Sequence, residues 1–308
     1  MGEEWGVIGF GRAGRARVLS LVSLGLKVQG IASKRPNVVK EWLNQRPEPK
    51  YQPIEIYEDW HALISSSNIT GVFVCSENQN HFDQVHEAIS QGKHVCVEFP
   101  LCSTVQEAHG LFALAKQKNV VLHVECIGIL TERHQYLKGL VHQSQLDHLS
   151  IEFTGGLYRW VEEAADAGQV ASLAFGRLHQ LVDIFDTLTL CDRHIKIVKT
   201  QDSVDYYSLE LTFKGHNSAS GIQTPVTICL KESRMIGGKR SSVMKAFYQG
   251  QSVLLPTSQK GTLFEKDTEI FRGLVLDHQK QSVTRLLQSE YTGYSSIIET
   301  LQLIELVQ

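Results

Sequence analysis

No apolar run in the 308 residues reaches the roughly 18 needed to cross a bilayer. The N-terminus, Met-Gly-Glu-Glu-Trp, lacks a basic segment followed by a cleavable apolar one, so the expected location is cytoplasmic. Charge of one sign is missing too. Thirty Lys and Arg against 33 Asp and Glu leave a net charge of -3, which gives no bias toward nucleic acid or an anionic membrane. Repeats and low-complexity tracts are absent. None of the six cysteines (Cys75, Cys96, Cys102, Cys126, Cys191, Cys229) forms a C-x-x-C pair, and most sit in apolar, strand-like runs. Reduced, largely buried thiols are expected, with no zinc or redox pair. Among the thirteen histidines, His81, His86, His142, His148 and His179 lack companions at ligand spacing, so no metal is expected. What remains is an ordinary globular composition, 42% hydrophobic and 20% charged, in a chain long enough for two domains.

The most informative segment that is present is Val7-Ile8-Gly9-Phe10-Gly11-Arg12-Ala13-Gly14. A glycine-rich turn here follows an apolar strand, Trp5 to Ile8, and opens a helical pattern, Ala13 to Leu24. Gly9 permits the tight turn, Gly11 lets the backbone approach phosphates, and Gly14 lets helix and strand pack closely. The helix start, with Phe10, Arg12 and Ala13 in the turn, presents unpaired N–H groups to a pyrophosphate.

Up to about residue 124, apolar strands alternate with helices as in a doubly wound parallel sheet. The expected strands are Trp5 to Ile8, Lys27 to Ala32, Gly71 to Cys75, His94 to Val97 and Val120 to His123. The expected helices are Ala13 to Leu24, Val38 to Gln45, Asp59 to Ser65, Asn80 to Gln91 and Val105 to Gln117. Later segments are longer, alternating and strand-like: His148 to Thr154, Ile195 to Thr200, Tyr206 to Phe213, Val226 to Leu230 and Val243 to Tyr248 suit an open, mainly antiparallel sheet. Helices are expected at Leu173 to Leu188, Phe271 to Gln288 and Tyr294 to Val307, and hairpin connections at Lys214 to Gly221 and Arg234 to Arg240. The fold class is therefore α/β: an N-terminal Rossmann domain, 1–124, and a C-terminal α+β domain, 125–308, with a large open sheet and the closing helices.

Where NAD-preferring domains place an acidic residue at the end of the second strand, this chain reads Ile31-Ala32-Ser33-Lys34-Arg35. A hydroxyl and two cations in that place suit the 2'-phosphate of NADPH. The alternative is a solvated pair of surface cations.

Two further segments, Val74-Cys75-Ser76-Glu77-Asn78-Gln79-Asn80-His81 and Gln91-Gly92-Lys93-His94-Val95-Cys96-Val97-Glu98-Phe99-Pro100, resemble the glucose-fructose oxidoreductase and inositol dehydrogenase family. That family ends the second segment in Glu-Lys-Pro and uses the lysine in sugar oxidoreduction, whereas Phe99 stands here, which disfavours that chemistry. Within the family the chain is most similar to the NADPH-dependent biliverdin reductases of the A type, which carry Glu-Tyr-Pro. The similarity extends through Val121-Leu122-His123-Val124-Glu125, Gly176-Arg177-Leu178 and Lys266-Asp267-Thr268-Glu269-Ile270-Phe271. It implies reduction of a linear tetrapyrrole at its central methine, yielding bilirubin.

The candidate cofactor contacts are Gly9, Phe10, Gly11, Arg12, Ala13, Gly14, Ser33, Lys34, Arg35, Ser76, Glu77, His81, Glu98 and Phe99. The candidate catalytic residues are Glu98, at the carboxyl edge of the sheet, Glu125, expected to face an interdomain cleft, and Arg177, expected to meet the substrate's propionates or to pair with Asp183 or Asp186. Tyr158 and Trp160 are candidates to flank a planar substrate. A monomer, or a homodimer through the C-terminal sheet, is expected. Two other functions stay open: reduction of another carbonyl or imine, and non-catalytic binding of NADP and bilin by a regulator.

Overall fold

The computed structural model describes residues 3–51, 53–157, 173–200, 203–217, 225–257, 263–280 and 293–307. Strand and helix alternate through the first part: β1 Glu4–Ile8, α1 Arg12–Ser23, β2 Lys27–Ala32, α2 Pro36–Asn44, β3 Glu55–Tyr57, α3 Trp60–Ser65, β4 Gly71–Val74, α4 His81–Ser90, β5 His94–Val97, α5 Val105–Lys118 and β6 Leu122–Val124. The strands pair in parallel in the order β3-β2-β1-β4-β5-β6. Every residue of β4 (GVFV) and β5 (HVCV) is buried, the mark of strands covered on both faces. A capping box of Thr104 and Glu107 starts α5, and Asn119 at φ 55° stops it. This half matches the doubly wound expectation. The short edge strand β3 was not anticipated, because its three residues, with Glu55 exposed, carry no apolar run.

The second part contains α6 Glu132–His142, β7 His148–Gly156, α7 Phe175–Ile184, β8 Thr187–Thr200, β9 Ser203–His216, β10 Val226–Met235, β11 Ser241–Tyr248 and β12 Gln251–Val253, followed by α8 Leu263–Lys280 and α9 Tyr294–Val307. Its sheet runs β12-β11-β7-β10-β9-β8. All neighbours are antiparallel except β7 and β10, so the mainly antiparallel open sheet is as expected. Three local expectations change. Helix α7 ends at Ile184 rather than Leu188, because Phe185 turns extended and Thr187 opens β8. The stretch after Arg234 is no hairpin, since β11 pairs with β7 and not with β10. Helix α8 starts eight residues ahead of Phe271, at Leu263.

The chain forms two compact units, Met1–Ile127 with Lys260–Ile298, and Gly128–Gln259 with Glu299–Gln308. The expected boundary at 124/125 therefore lies close to the first break, but α8 joins the first unit. The reason is Phe271, fully buried with its ring 5.4 Å from Trp5 and 5.3 Å from Phe73.

At the start of β5 the buried His94 accepts a hydrogen bond at Nδ1 from the Val121 N–H, 3.0 Å away. Burial, helped by the charge of nearby His278, pushes its pKa down to about 4. A depressed histidine favours the unfolded state once that state is protonated. Stability is thus full above the ordinary value near 6.5 and declines as pH falls from there toward 4, by up to about 3 kcal/mol for this site. His94→Asn, which keeps an acceptor for Val121, should flatten the fall in thermal midpoint between neutrality and about pH 5. An unaltered slope would assign that fall to other groups.

Candidate active site

Because the strands of the first sheet are parallel, the loops after β1, β2, β4, β5 and β6 leave from one edge, where ligands bind in doubly wound folds. That edge gathers the glycine turn, Ser33 to Arg35, Ser76 and Glu77, Glu98 and Phe99, and Glu125. The order reverses between β1 and β4, so the glycine turn lies at the switch point.

The glycines are required by space. Gly9 sits at φ +90°, and a Cβ on it would stand 2.6 Å from the Cys75 carbonyl oxygen. A Cβ on Gly14 would stand 2.0 Å from the Gly9 oxygen, so only glycine lets α1 pack this close to β1. A Cβ on Gly11 would meet nothing within 4 Å, which leaves room for a phosphate above the turn. Gly11 caps α1 without a side chain, and no acid stands in the first turn. The residues present therefore fit a dinucleotide pyrophosphate.

Several candidates take narrower roles than expected. Phe10 is buried edge-on against Trp42, ring centres 5.3 Å apart, so only its backbone faces the turn. His81 is fully buried, with Nδ1 2.7 Å from the Pro100 carbonyl and Nε2 3.2 Å from that of Ser76. It ties two edge loops together and is not a cofactor contact, because both nitrogens are occupied. Ser76 Oγ donates to Gln84 at 2.6 Å. Lys34 lies 3.6 Å from Glu77, both largely exposed, a pair that contributes at most about 1 kcal/mol and yields readily to a phosphate. The Ser33 hydroxyl accepts from the Arg35 N–H at 3.1 Å, which shapes the turn that carries the two cations.

Glu98 and Glu125 follow Val97 and Val124, which are register partners on adjacent parallel strands, so the two side chains stand on the same face. Glu125 has no exposed surface. Its Oε1 accepts from the Ile127 N–H at 2.9 Å, and its Oε2 has no partner among the described residues. Burial, then the charge of Glu98, pushes the Glu125 carboxyl well above the usual range. Burial raises Glu98 as well, against the pull of Arg17. Of the two carboxyls, Glu125 is the one pushed further toward its protonated form. Glu125, expected to face a cleft, is thus fully buried.

The groups behind this pair were not among the candidate site residues. Arg17 on α1, fully buried, has its Nη2 3.3 Å from Glu98 Oε1 and 2.6 Å from Asp267 Oδ2 on α8. His123 Nε2 lies 2.9 Å from Asp267 Oδ1. Ligand atoms of Cys96, His123 and Asp267 all come within 4.8 Å of one another, but the Arg17 guanidinium already supplies the positive charge there. A sequence signal did exist: Arg17 shares the buried face of α1 with Gly14 and Leu21, and Asp267 stands one turn from the core residue Phe271.

Arg177 belongs to the second unit. It pairs with neither Asp183 nor Asp186 but with Glu232, donating from Nε at 2.7 Å and through Nη2 as well. Asp183 is taken by His134 at 2.6 Å and Lys138 at 3.0 Å. Glu232, fully buried, also accepts from Arg234 Nε at 2.8 Å and from the Tyr207 hydroxyl at 3.2 Å. The guanidinium carbons of Arg177, Arg234 and Arg240 lie 4.4, 4.8 and 5.7 Å from the Phe153 ring centre. Three guanidinium groups thus gather at one ring, and two of them, Arg177 and Arg234, are held by the Glu232 carboxylate. Tyr158 and Trp160 lie outside the described residues.

Residues 4–126 match the model of the oxidoreductase family with an NAD-binding Rossmann fold. The likeness to biliverdin reductase A of Homo sapiens, 32% identity over 189 residues, covers 60% of this chain and 58% of that protein, so the match spans a little over half of the relative's length. The fold is also that of the biliverdin reductase of Synechocystis solved with biliverdin and NADP+: TM-score 0.75, 18% identity, 99% of this chain and 98% of that one. A 3-ketoreductase of Actinomadura kijaniata, solved with NADP and TDP-benzene, superposes at TM-score 0.74 with 16% identity, covering 99% and 96%. Among the described residues no helix is long and apolar enough to cross a membrane.

Proposed function

We propose that the chain is an NADPH-dependent reductase of biliverdin or a closely related linear tetrapyrrole. The observation that carries this reading is the carboxyl pair Glu98 and Glu125, a proton store beside Phe99, where lysine would serve a sugar dehydrogenase. The similarity to biliverdin reductase A supports the substrate class. Bound at the edge of the sheet, NADPH supplies a hydride to the central methine carbon.

The chain's own groups do the rest. The Gly9 to Gly14 turn and the start of α1 hold the pyrophosphate, and Lys34 and Arg35 hold the 2'-phosphate. Glu125 holds a proton that Glu98 passes toward the pyrrole nitrogen, so the ring system stays neutral as hydride arrives. Arg177, with Arg234, offers cations to the propionates, and Glu232 keeps both side chains in place. No hydroxyl at position 99 is needed, because the reducible carbon takes hydride and only a nitrogen takes a proton.

The test is direct. Purified protein mixed with NADPH and biliverdin should lose the biliverdin absorbance, and NADH should serve roughly tenfold to a hundredfold less well. Arg35→Ala should erase most of that preference. An unchanged spectrum over hours would overturn the proposal. Turnover of small carbonyl compounds alone would point to another reductase, and binding of NADPH and bilin without turnover to a regulator.

A further inference from the structure

Arg17, Asp267 and His123 take no part in the scheme above, yet they form a buried polar network that ends on its proton store. The Arg17 side chain uses its whole donor fork. Nε and Nη2 both lie 3.3 Å from Glu98 Oε1, Nη2 lies 2.6 Å from Asp267 Oδ2, and Nη1 donates to Thr268 Oγ1 at 3.2 Å and to the Phe264 carbonyl at 3.3 Å. The rings of Phe73 and Phe264 cover its faces at 5.4 and 4.8 Å. Asp267 is held in turn by His123. Buried ion networks of this kind seldom add stability over apolar packing, so one that ends on a single oxygen of a candidate proton carrier calls for another reason.

We infer that Arg17 is a positioning residue for proton transfer: clamped by Asp267, Thr268 and the Phe264 carbonyl, its guanidinium fixes the Glu98 carboxylate on the face it shares with Glu125. The inference rests on the reading of Glu98 and Glu125 as the proton store. With Glu98 held as an ion pair, the single proton belongs to Glu125, and Glu98 is free to accept and pass it. Without that pairing Glu98 keeps a proton of its own, and the relay has no acceptor.

Five charged or titratable groups stand around the pair among the described residues. They are Arg17 from α1, Cys75 after β4, Cys96 from β5, His123 from β6 and Asp267 from α8. Burial pushes both thiols up, so they stay neutral. Burial would raise Asp267 too, but His123 and Arg17 beside it hold it down to about 2, a fixed negative charge. Arg17 and Asp267 therefore act on the pair in opposite senses. Asp267 makes Glu125 hold its proton more tightly, and Arg17 makes the pair release it more easily.

The experiment reads the proton itself, by infrared spectroscopy of the full chain titrated from neutral to alkaline pH. The wild type should show the carbonyl stretch of a protonated carboxyl that Glu125→Gln lacks. The midpoint of its loss should move down by about one pH unit in Asp267→Asn and up in Arg17→Lys, which keeps the charge but loses the fork. The alkaline limb of the kcat profile should move with it, and Asp267→Glu should restore the wild-type midpoint. Midpoints that coincide in wild type, Asp267→Asn and Arg17→Lys would overturn the inference and leave the proton store standing. A wild-type spectrum without the band would remove the store, and the inference with it.

Discussion

Gly14→Ala should lose dinucleotide binding by at least about a hundredfold and unfold at a distinctly lower temperature. The new methyl carbon would stand 2.0 Å from the Gly9 oxygen and 3.0 Å from the Gly9 carbonyl carbon, both backbone atoms that cannot swing aside. The strain is relieved only if α1 moves away from the turn after β1. Overpacking of this kind costs about 1–3 kcal/mol in stability. The same movement withdraws the first-turn N–H groups from the pyrophosphate, and binding geometry at a charged ligand tolerates little displacement. Gly11→Ala is the informative contrast. Its Cβ meets nothing within 4 Å, so the protein should fold with its normal thermal midpoint while the methyl obstructs the phosphate. Thermal unfolding and calorimetric titration with NADPH separate the two: Gly14→Ala loses both properties, Gly11→Ala only affinity. A Gly14→Ala protein of unchanged midpoint would mean that the close approach of α1 to β1 is not needed.

The contrast between those two glycines also marks what a linear sequence can convey. The turn is legible because strand, glycines and helix are contiguous, and the buried runs GVFV and HVCV are legible because both faces of their sheet are covered. Helix α6 escaped notice because Glu132–His142 is mostly polar. Its best signal was Thr131, whose hydroxyl accepts from the His134 N–H as an N-cap. The parallel pairing of β7 with β10 could not be foreseen, since nearly eighty residues lie between the partners and alternation along a strand says nothing of its neighbour's direction. The same limit hid the site's electrostatics. Glu98 and Glu125 could be named from their positions at strand ends, but the charges beside them come from Arg17 and Asp267, on helices 250 residues apart. Arg177 was picked out by type and place, and the partner that holds it, Glu232, stands on a strand 55 residues away.

Arg17→Met should produce the largest loss of stability of any single change in the first unit, about 3–5 kcal/mol. Methionine roughly fills the space between the Phe73 and Phe264 rings, so the loss is not chiefly a cavity. It comes from Asp267 and Glu98, left buried without their cation. Against a total of about 5–15 kcal/mol for a typical domain, that brings unfolding within reach of physiological temperature. The pH dependence identifies the cause. In the wild type Asp267 is depressed to about 2 from an ordinary value near 3.8, so its contribution is present above about pH 4 and lost as pH falls through 2. In Arg17→Met its carboxyl keeps His123 but loses the support of the guanidinium, so it protonates at a higher pH than in the wild type, and protonation relieves the buried charge. The gap between variant and wild type, measured by denaturant unfolding, should therefore be widest near neutrality and narrow as the pH approaches 4. Asp267→Asn added to Arg17→Met should recover part of the loss, because it removes one of the two orphaned charges. A gap of constant size across that range, with no recovery in the double variant, would show that Arg17 stabilises the unit by packing and not by charge.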